Sequence, residues 1–195
     1  MDYQDVLDFW YGTPSSQGYG APRDAWFSAD PDFDTVIATR FGETIDQALA
    51  GGLRHWDTNG PSGTLARIIV LDQFTRNVFR GNAKSFSGDG LALEAAQQLR
   101  TSGAHLYLRP LERWFAYMPF EHAEDLAMQD ISVALFTTLA DDCPGFDDVL
   151  GWVRKYRDVI ARFGRFPFRN SILGRTSTPE EIAFLSRLGY AGSPH

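Results

Sequence analysis

Cysteine and lysine are almost missing from this chain: Cys143 is the only thiol, and Lys84 and Lys155 are the only lysines. A single cysteine excludes an intrachain disulfide and a cysteine-based zinc site, and it suits a reducing compartment. Because lysine and arginine together number 18, the remaining 16 basic residues are arginines, a bias that a GC-rich genome explains. Acid exceeds base, giving a net charge of −7 and a pI of about 5.0. This balance argues against nucleic acid or an anionic membrane surface as a partner, while leaving room for a local basic site. No apolar run approaches the 18 or so residues of a membrane span, and the acidic start Met-Asp-Tyr-Gln-Asp-Val is unlike a signal peptide. A cytoplasmic protein is the expectation. Strand alternation is nearly absent, no segment repeats at fixed period, and no glycine-rich phosphate loop occurs.

What is present is a chain built for a core. Across 195 residues, 44% are apolar and 14% aromatic, enough for one domain spanning 1–195. Helix signals run almost end to end. Val6 to Tyr11 reads as a short helix, followed by a Gly/Ser/Pro loop from Pro14 to Pro22. Asp30-Pro31 supplies an N-cap and first-turn proline, and Phe33, Val36, Ile37, Phe41, Ile45, Ala48 and Leu49 follow at helical spacing up to Gly51-Gly52. After a break at Thr58 to Gly63, the spacing predicts helices over Leu65–Arg80, about Gly88–Arg100, Arg109–Tyr117, Pro119–Leu139 and Asp147–Phe163, the last closed by Gly164. Thr178-Pro179-Glu180-Glu181 is a capping box that opens a final helix to Leu188. The expected fold is all-α, with roughly nine helices and connections short enough for antiparallel neighbours.

Three segments break the local rules. The first is Leu71 to Gly81. At about 100° per residue, Asp72 and Arg76 fall inside the sector of Leu65, Ile68, Ile69 and Phe79, with Gln73 and Asn77 beside them and Arg80 one turn on. Charges on an apolar face must find partners or line a cavity. The second is Met118 to Gln129, where His122, Asp125 and Gln129 share a helical face and Glu124 lies between Ile131 and Leu135. Glu124 is expected to pair with Arg76 or Arg80. A histidine and an aspartate one turn apart suit a base and its orienter, although no third metal ligand is spaced to join them. The third is Arg162 to Asn170, an arginine- and aromatic-rich turn in which Pro167 holds Phe166 extended, Arg165 and Arg169 cap carbonyls or stack on rings, and Asn170 follows.

In order along the chain, Phe9-Trp10-Tyr11-Gly12, Trp26-Phe27, Arg40-Phe41-Gly42, Leu71-Asp72-Gln73-Phe74 with Arg76-Asn77 and Arg80-Gly81, Tyr117-Met118-Pro119, His122 with Glu124-Asp125 and Gln129, Arg162 to Pro167, Arg169-Asn170 and Leu173-Gly174-Arg175 resemble the domain of unknown function 924 family of bacteria and fungi. The resemblance covers nearly the whole chain. It implies a tetratricopeptide-like superhelix of stacked antiparallel helix pairs, and it implies no established activity. Tyr156 and Phe168 stand where the family often has histidine, and Ala123 where it often has serine, so a mechanism needing several histidines loses support.

Two functional classes and one structural alternative follow. In the first, a helical module binds a small anion or an acidic peptide end through Arg76, Arg80, Arg165 and Arg169, with Asn77, Asn170 and Tyr117 orienting it. In the second, a hydrolase-type enzyme uses His122 as general base, oriented by Asp125. The structural alternative makes the whole set an ion-pair and amide network that locks helices together. Neither a cofactor motif nor a metal-ligand set is evident.

Overall fold

The computed structural model describes residues 1–187, and every regular element among them is helical. The α-helical segments are α1 Tyr3–Tyr11, α2 Pro31–Leu49, α3 Gly60–Ile68, α4 Thr75–Val78, α5 Asp89–Thr101, α6 Pro110–His122, α7 Leu126–Asp142, α8 Asp147–Phe163 and α9 Pro179–Arg187. A π turn over Ile69–Phe74 joins α3 to α4, so these two segments form one continuous helix. The described residues therefore contain eight helical bodies where roughly nine were expected. Leu188, the expected end of the last helix, lies outside the described residues. None of the described helices is long and apolar enough to cross a membrane.

Local chemistry sets most of the boundaries. Asp30 accepts the N–H groups of Asp32 and Phe33 at 3.0 and 3.1 Å, with Pro31 in the first turn of α2. Thr178 and Glu181 form the expected reciprocal cap of α9, at 2.7 and 3.2 Å. Gly164 closes α8 at φ +69°, a left-handed conformation in which side chains are strained. The expected helix from Pro119 to Leu139 is instead two. Pro119 lies inside α6, which ends at His122; Ala123 is extended, and Asp125 opens α7 by accepting the Met128 N–H at 3.0 Å. A proline late in a helix weakens its last turn, and a capping aspartate three residues beyond the histidine restarts the chain in a new direction.

The α3–π–α4 helix is the centre of the packing. Every residue from Gly63 to Thr75 is buried, and this helix is flanked by α1, α2, α5, α6 and the 3-10 segment Gly52–Asn59. On one side an aromatic cluster closes over it: Trp10 lies 5.6 Å from both Trp26 and Phe74 and 5.3 Å from Phe115, while Phe41 meets Phe74 at 4.8 Å. On the other side α6, α7 and α8 pack in succession through three- and four-residue connections, and α9 rests on the turn Pro167–Arg169.

Two glycines let backbone meet backbone at the central helix. A Cβ on Gly63 would lie 1.9 Å from the Trp56 carbonyl oxygen, and one on Gly88 would lie 2.1 Å from that of Leu71. Gly63→Ala and Gly88→Ala are each expected to lower unfolding free energy by at least ~2 kcal/mol in urea denaturation, since main chain must move. Gly90→Ala, which meets nothing within 4 Å inside α5, is the control and is expected to gain up to ~1 kcal/mol.

Candidate functional site

The central helix is buried all round here: the six residues of the π turn from Ile69 to Phe74 are enclosed like the α-helical turns before them, Asp72 fully so. Asp72 becomes the hub of a charged centre. Its Oδ1 accepts from His122 Nδ1 at 2.7 Å and lies 3.1 Å from Arg76 Nη1, while Oδ2 accepts from Gln73 Nε2 at 2.5 Å. An ionised carboxylate only accepts, so the His122 proton sits on Nδ1 and Nε2 carries the lone pair.

Arg76 extends the centre to α5. Its Nη1 donates to the Asp72 carbonyl, and its Nη2 lies 2.9 Å from Asp89 Oδ1 at the start of α5. Asp89 Oδ2 in turn accepts from Arg169 Nη1 at 3.3 Å. The Arg169 guanidinium is held between the rings of Phe86 and Phe166, at 4.6 and 4.7 Å, and Phe86 also faces Arg76 at 5.7 Å. Two ring faces attract the Arg169 charge, but they fill none of its donors. Among the described residues Nε of Arg169, which is buried, has no hydrogen-bond partner, and the Nη1 bond to Asp89 is long at 3.3 Å.

The electrostatics are uneven. Burial alone would raise the Asp72 carboxyl, but Arg76 and His122 outweigh it and hold the group well below the usual carboxylate range. His122 is pushed down, by burial first and by Arg76 second, against the pull of Asp72. It is therefore a neutral imidazole near pH 7. Arg169 is lowered to about 10 by burial and by the neighbouring charge of Arg76. Glu121, next to His122 on α6 and only 5% exposed, is raised to about 8 by burial and by the negative charge of Asp72. At neutral pH the centre thus holds two guanidinium groups, two carboxylates, a neutral imidazole and a neutral carboxylic acid. Among the described residues no three histidine, cysteine, aspartate or glutamate side chains gather as a metal-ion cage.

Several other residues marked by the sequence lie elsewhere. Glu124 does not reach Arg76 or Arg80: it accepts from Arg175 at 2.6 and 2.9 Å and from the Phe166 N–H at 2.7 Å, because the chain turns out of helix at Ala123. Arg165 forms a two-pronged pair with Glu181 at 2.7 and 2.9 Å, and Asn170 bonds Ser177, Glu181 and Arg175. Those groups form a second network that fastens the C-terminal turn and α9. Arg80 and Asn77 both bond Asp34 of α2. Asp125 does not orient His122; it caps α7, and Asp72 holds the imidazole instead. Gln129 donates to the Glu121 and Ala123 carbonyls at 2.6 and 2.8 Å, ending α6. Tyr117 bonds His105 at 2.7 Å, away from the hub. Asp72, Gln73, Arg76, His122 and Arg169 are the marked residues that do converge.

Glu121, Asp89 and Phe86 belong to the centre without having been marked. Asp89 reads in sequence as an ordinary acidic first turn, and Phe86 as core. Glu121 carries one signal, a position beside a histidine one residue before a helix end, and that pattern is not specific.

Comparison with known proteins agrees with this architecture. A family profile described as a bacterial protein of unknown function, DUF924, matches residues 6–189. A solved structure, the protein of unknown function ATU0120 from Agrobacterium tumefaciens, superposes with a TM-score of 0.81 at 35% sequence identity, covering 95% of this chain and 97% of that one. No curated protein matches the chain.

Glu121 makes stability depend on pH with a definite sign. Its carboxyl is raised from 4.5 to about 8, so between these values the folded protein keeps a proton that the unfolded chain releases. Stability from this group therefore falls as pH rises across that window, by about 3 kcal/mol at pH 7. Glu121→Gln should match the parent near pH 4.5 and exceed its melting temperature at pH 9, as read by calorimetry across pH.

Proposed function

We propose a function for this chain, which belongs to the DUF924 family of bacterial proteins of unknown function: the Asp72–Arg76–His122–Arg169 centre binds a small anion. The observation that carries the reading is Arg169. Its guanidinium lies over two phenyl rings at 4.6 and 4.7 Å, its Nε lacks a partner among the described residues, and its bond to Asp89 is long at 3.3 Å. A buried cation with unfilled donors costs stability unless a ligand completes it. Carboxylate and phosphate oxygens match that planar fork. The charge balance allows it. Arg76 and Arg169 cancel Asp72 and Asp89, while His122 and Glu121 are neutral at pH 7, so an incoming monoanion meets no net repulsion. The enclosed setting, with the Arg169 side chain 8% exposed, favours a small molecule over an acidic peptide end.

The other arginines contribute less to such a site. Arg80 is matched by Asp34, Arg165 by Glu181 and Arg175 by Glu124. They support the fold around the centre and leave recognition to Arg169 and Arg76. The test is calorimetric titration of the parent with inorganic phosphate and acetate, beside Arg169→Met and the control Arg80→Met. We expect Arg169→Met to weaken binding at least tenfold, in line with about 1.5–3 kcal/mol for a hydrogen bond to a charged group, and Arg80→Met to leave it nearly unchanged. Affinity should also fall as pH rises through about 8, where Glu121 ionises. A folded Arg169→Met that binds both anions as the parent does removes the reading.

A second reading, hydrolytic catalysis, is favoured by one contact. The 2.7 Å bond from His122 Nδ1 to Asp72 fixes the imidazole, and among the described residues none bonds its Nε2. That leaves it ready to take a proton from water while Glu121, as a neutral acid, supplies one to a leaving group. Screening carboxylic and phosphoric esters tests it. Activity that His122→Ala abolishes, with a rate that rises through a pKa below 6.5, supports the base role. Hydrolysis that survives His122→Ala excludes it.

A further inference from the structure

A cavity that shares no wall with the polar centre lies where α1 meets the start of α6. It measures about 320 Å³, and Gln4, Asp8, Tyr11, Tyr19, Arg109 and Glu112 are among its walls, a volume at the lower end of small-molecule sites. Gln4, Asp8 and Tyr11 are spaced i, i+4 and i+7, so one face of α1 supplies all three. Tyr11 is only 2% exposed, and its hydroxyl has no hydrogen-bond partner. An orphaned buried hydroxyl at a cavity is a group awaiting a ligand or a water.

The charges say which ligand. Arg109 and Glu112 satisfy each other: Glu112 accepts the Arg109 N–H at 2.8 Å and its Nη2 at 2.7 Å, and the guanidinium lies 4.6 Å above the Tyr19 ring. Arg109, the one cation among the described residues lining the cavity, is therefore engaged. Asp8 accepts from Gln4 Nε2 at Oδ1, at 2.7 Å, and among the described residues no donor reaches its Oδ2. Asp8 and Glu112 against Arg109 leave the walls one negative charge in excess. Burial, and after it the charge of Glu112, pushes the Tyr11 hydroxyl well above its ordinary pKa, so it stays neutral and its oxygen accepts. Leu7 and Pro14 add apolar surface beside these acceptors.

We infer that this cavity binds a small organic ammonium ion, which donates to the Asp8 carboxylate and the Tyr11 hydroxyl oxygen and lays its carbon chain along Leu7 and Pro14. An anion is opposed by the net charge, and a bare metal ion finds no cage of ligands here. The site is separate from the anion centre, so neither depends on the other.

Amide NMR on the full chain tests this with putrescine as probe and 1,4-butanediol as its uncharged counterpart. Putrescine should shift the Gly12 and Ser62 resonances saturably, and the diol should not. Asp8→Asn, a partly exposed change that preserves the fold, should weaken putrescine at least tenfold, and Tyr11→Phe about threefold. The assignment is overturned by no saturable shift up to ~10 mM, by equal binding of the diol, or by an affinity that either substitution leaves unchanged.

Discussion

The contact on which the rest depends is the ion pair between Asp72 and Arg76 inside the central helix. A carboxylate with no exposure is tolerable only if its charge is met by partners in fixed positions, since removing one partner of a buried pair costs ~3–5 kcal/mol. Arg76 supplies the charge and His122 a 2.7 Å hydrogen bond, which ties the end of α6 to the middle of the π turn. Arg76 also reaches Asp89 at 2.9 Å and so fixes the start of α5. Through Asp89 the chain of pairs continues to Arg169, near the C-terminal turn. Four distant parts of the sequence are thereby linked through two carboxylates, Asp72 in the π turn and Asp89 at the start of α5.

The pairing around this hub is close to electroneutral, which explains how a chain of net charge −7 accommodates many inward-facing arginines. Outer pairs such as Arg80 with Asp34 and Arg175 with Glu124 are two-pronged and well aligned, so they position elements without leaving unfilled donors. The inner set differs. Arg169 has fewer partners than donors, His122 has a lone pair to spare, and Glu121 is driven toward its neutral form by burial and then by Asp72. Structural networks saturate their members. Incompletely matched members clustered together are the observation on which the proposed anion site rests.

Much of the helical architecture was legible from spacing and caps. Asp30-Pro31 and Thr178 to Glu181 mark helix starts by side-chain chemistry that acts within a few residues, and the buried character of Leu65 to Thr75 follows from its apolar surroundings. Asp72 and Arg76 stood out for the same reason. Legibility ended where the helical period changed. The π turn at Ile69–Phe74 and the break at Ala123 both defeat a fixed 100° projection, and every misplaced partner lies beyond one of them. Glu124 and Asp125 were projected from a helix that had already ended, so their partners became Arg175 and the α7 amides. Asp89 and Glu121 could not be found because their role comes from which element packs opposite, a relation that local periodicity does not encode.

Two residues by which the chain departs from the family pattern meet in space, and this bears on what the centre does. Tyr156 and Phe168, where the resemblance places histidines, lie 6.2 Å apart, and both contact Phe166, at 5.6 and 5.1 Å. Phe166 is one of the two rings holding Arg169. Aromatic side chains at these positions thus thicken the apolar wall behind the guanidinium. A drier wall strengthens any charge that Arg169 meets, because the attraction is less screened by water. It also leaves His122 as the imidazole nearest the buried acid. The titratable pair His122 and Glu121 and the guanidinium of Arg169 thus sit in one enclosed setting, where an unmatched charge is costly and a matched one strong.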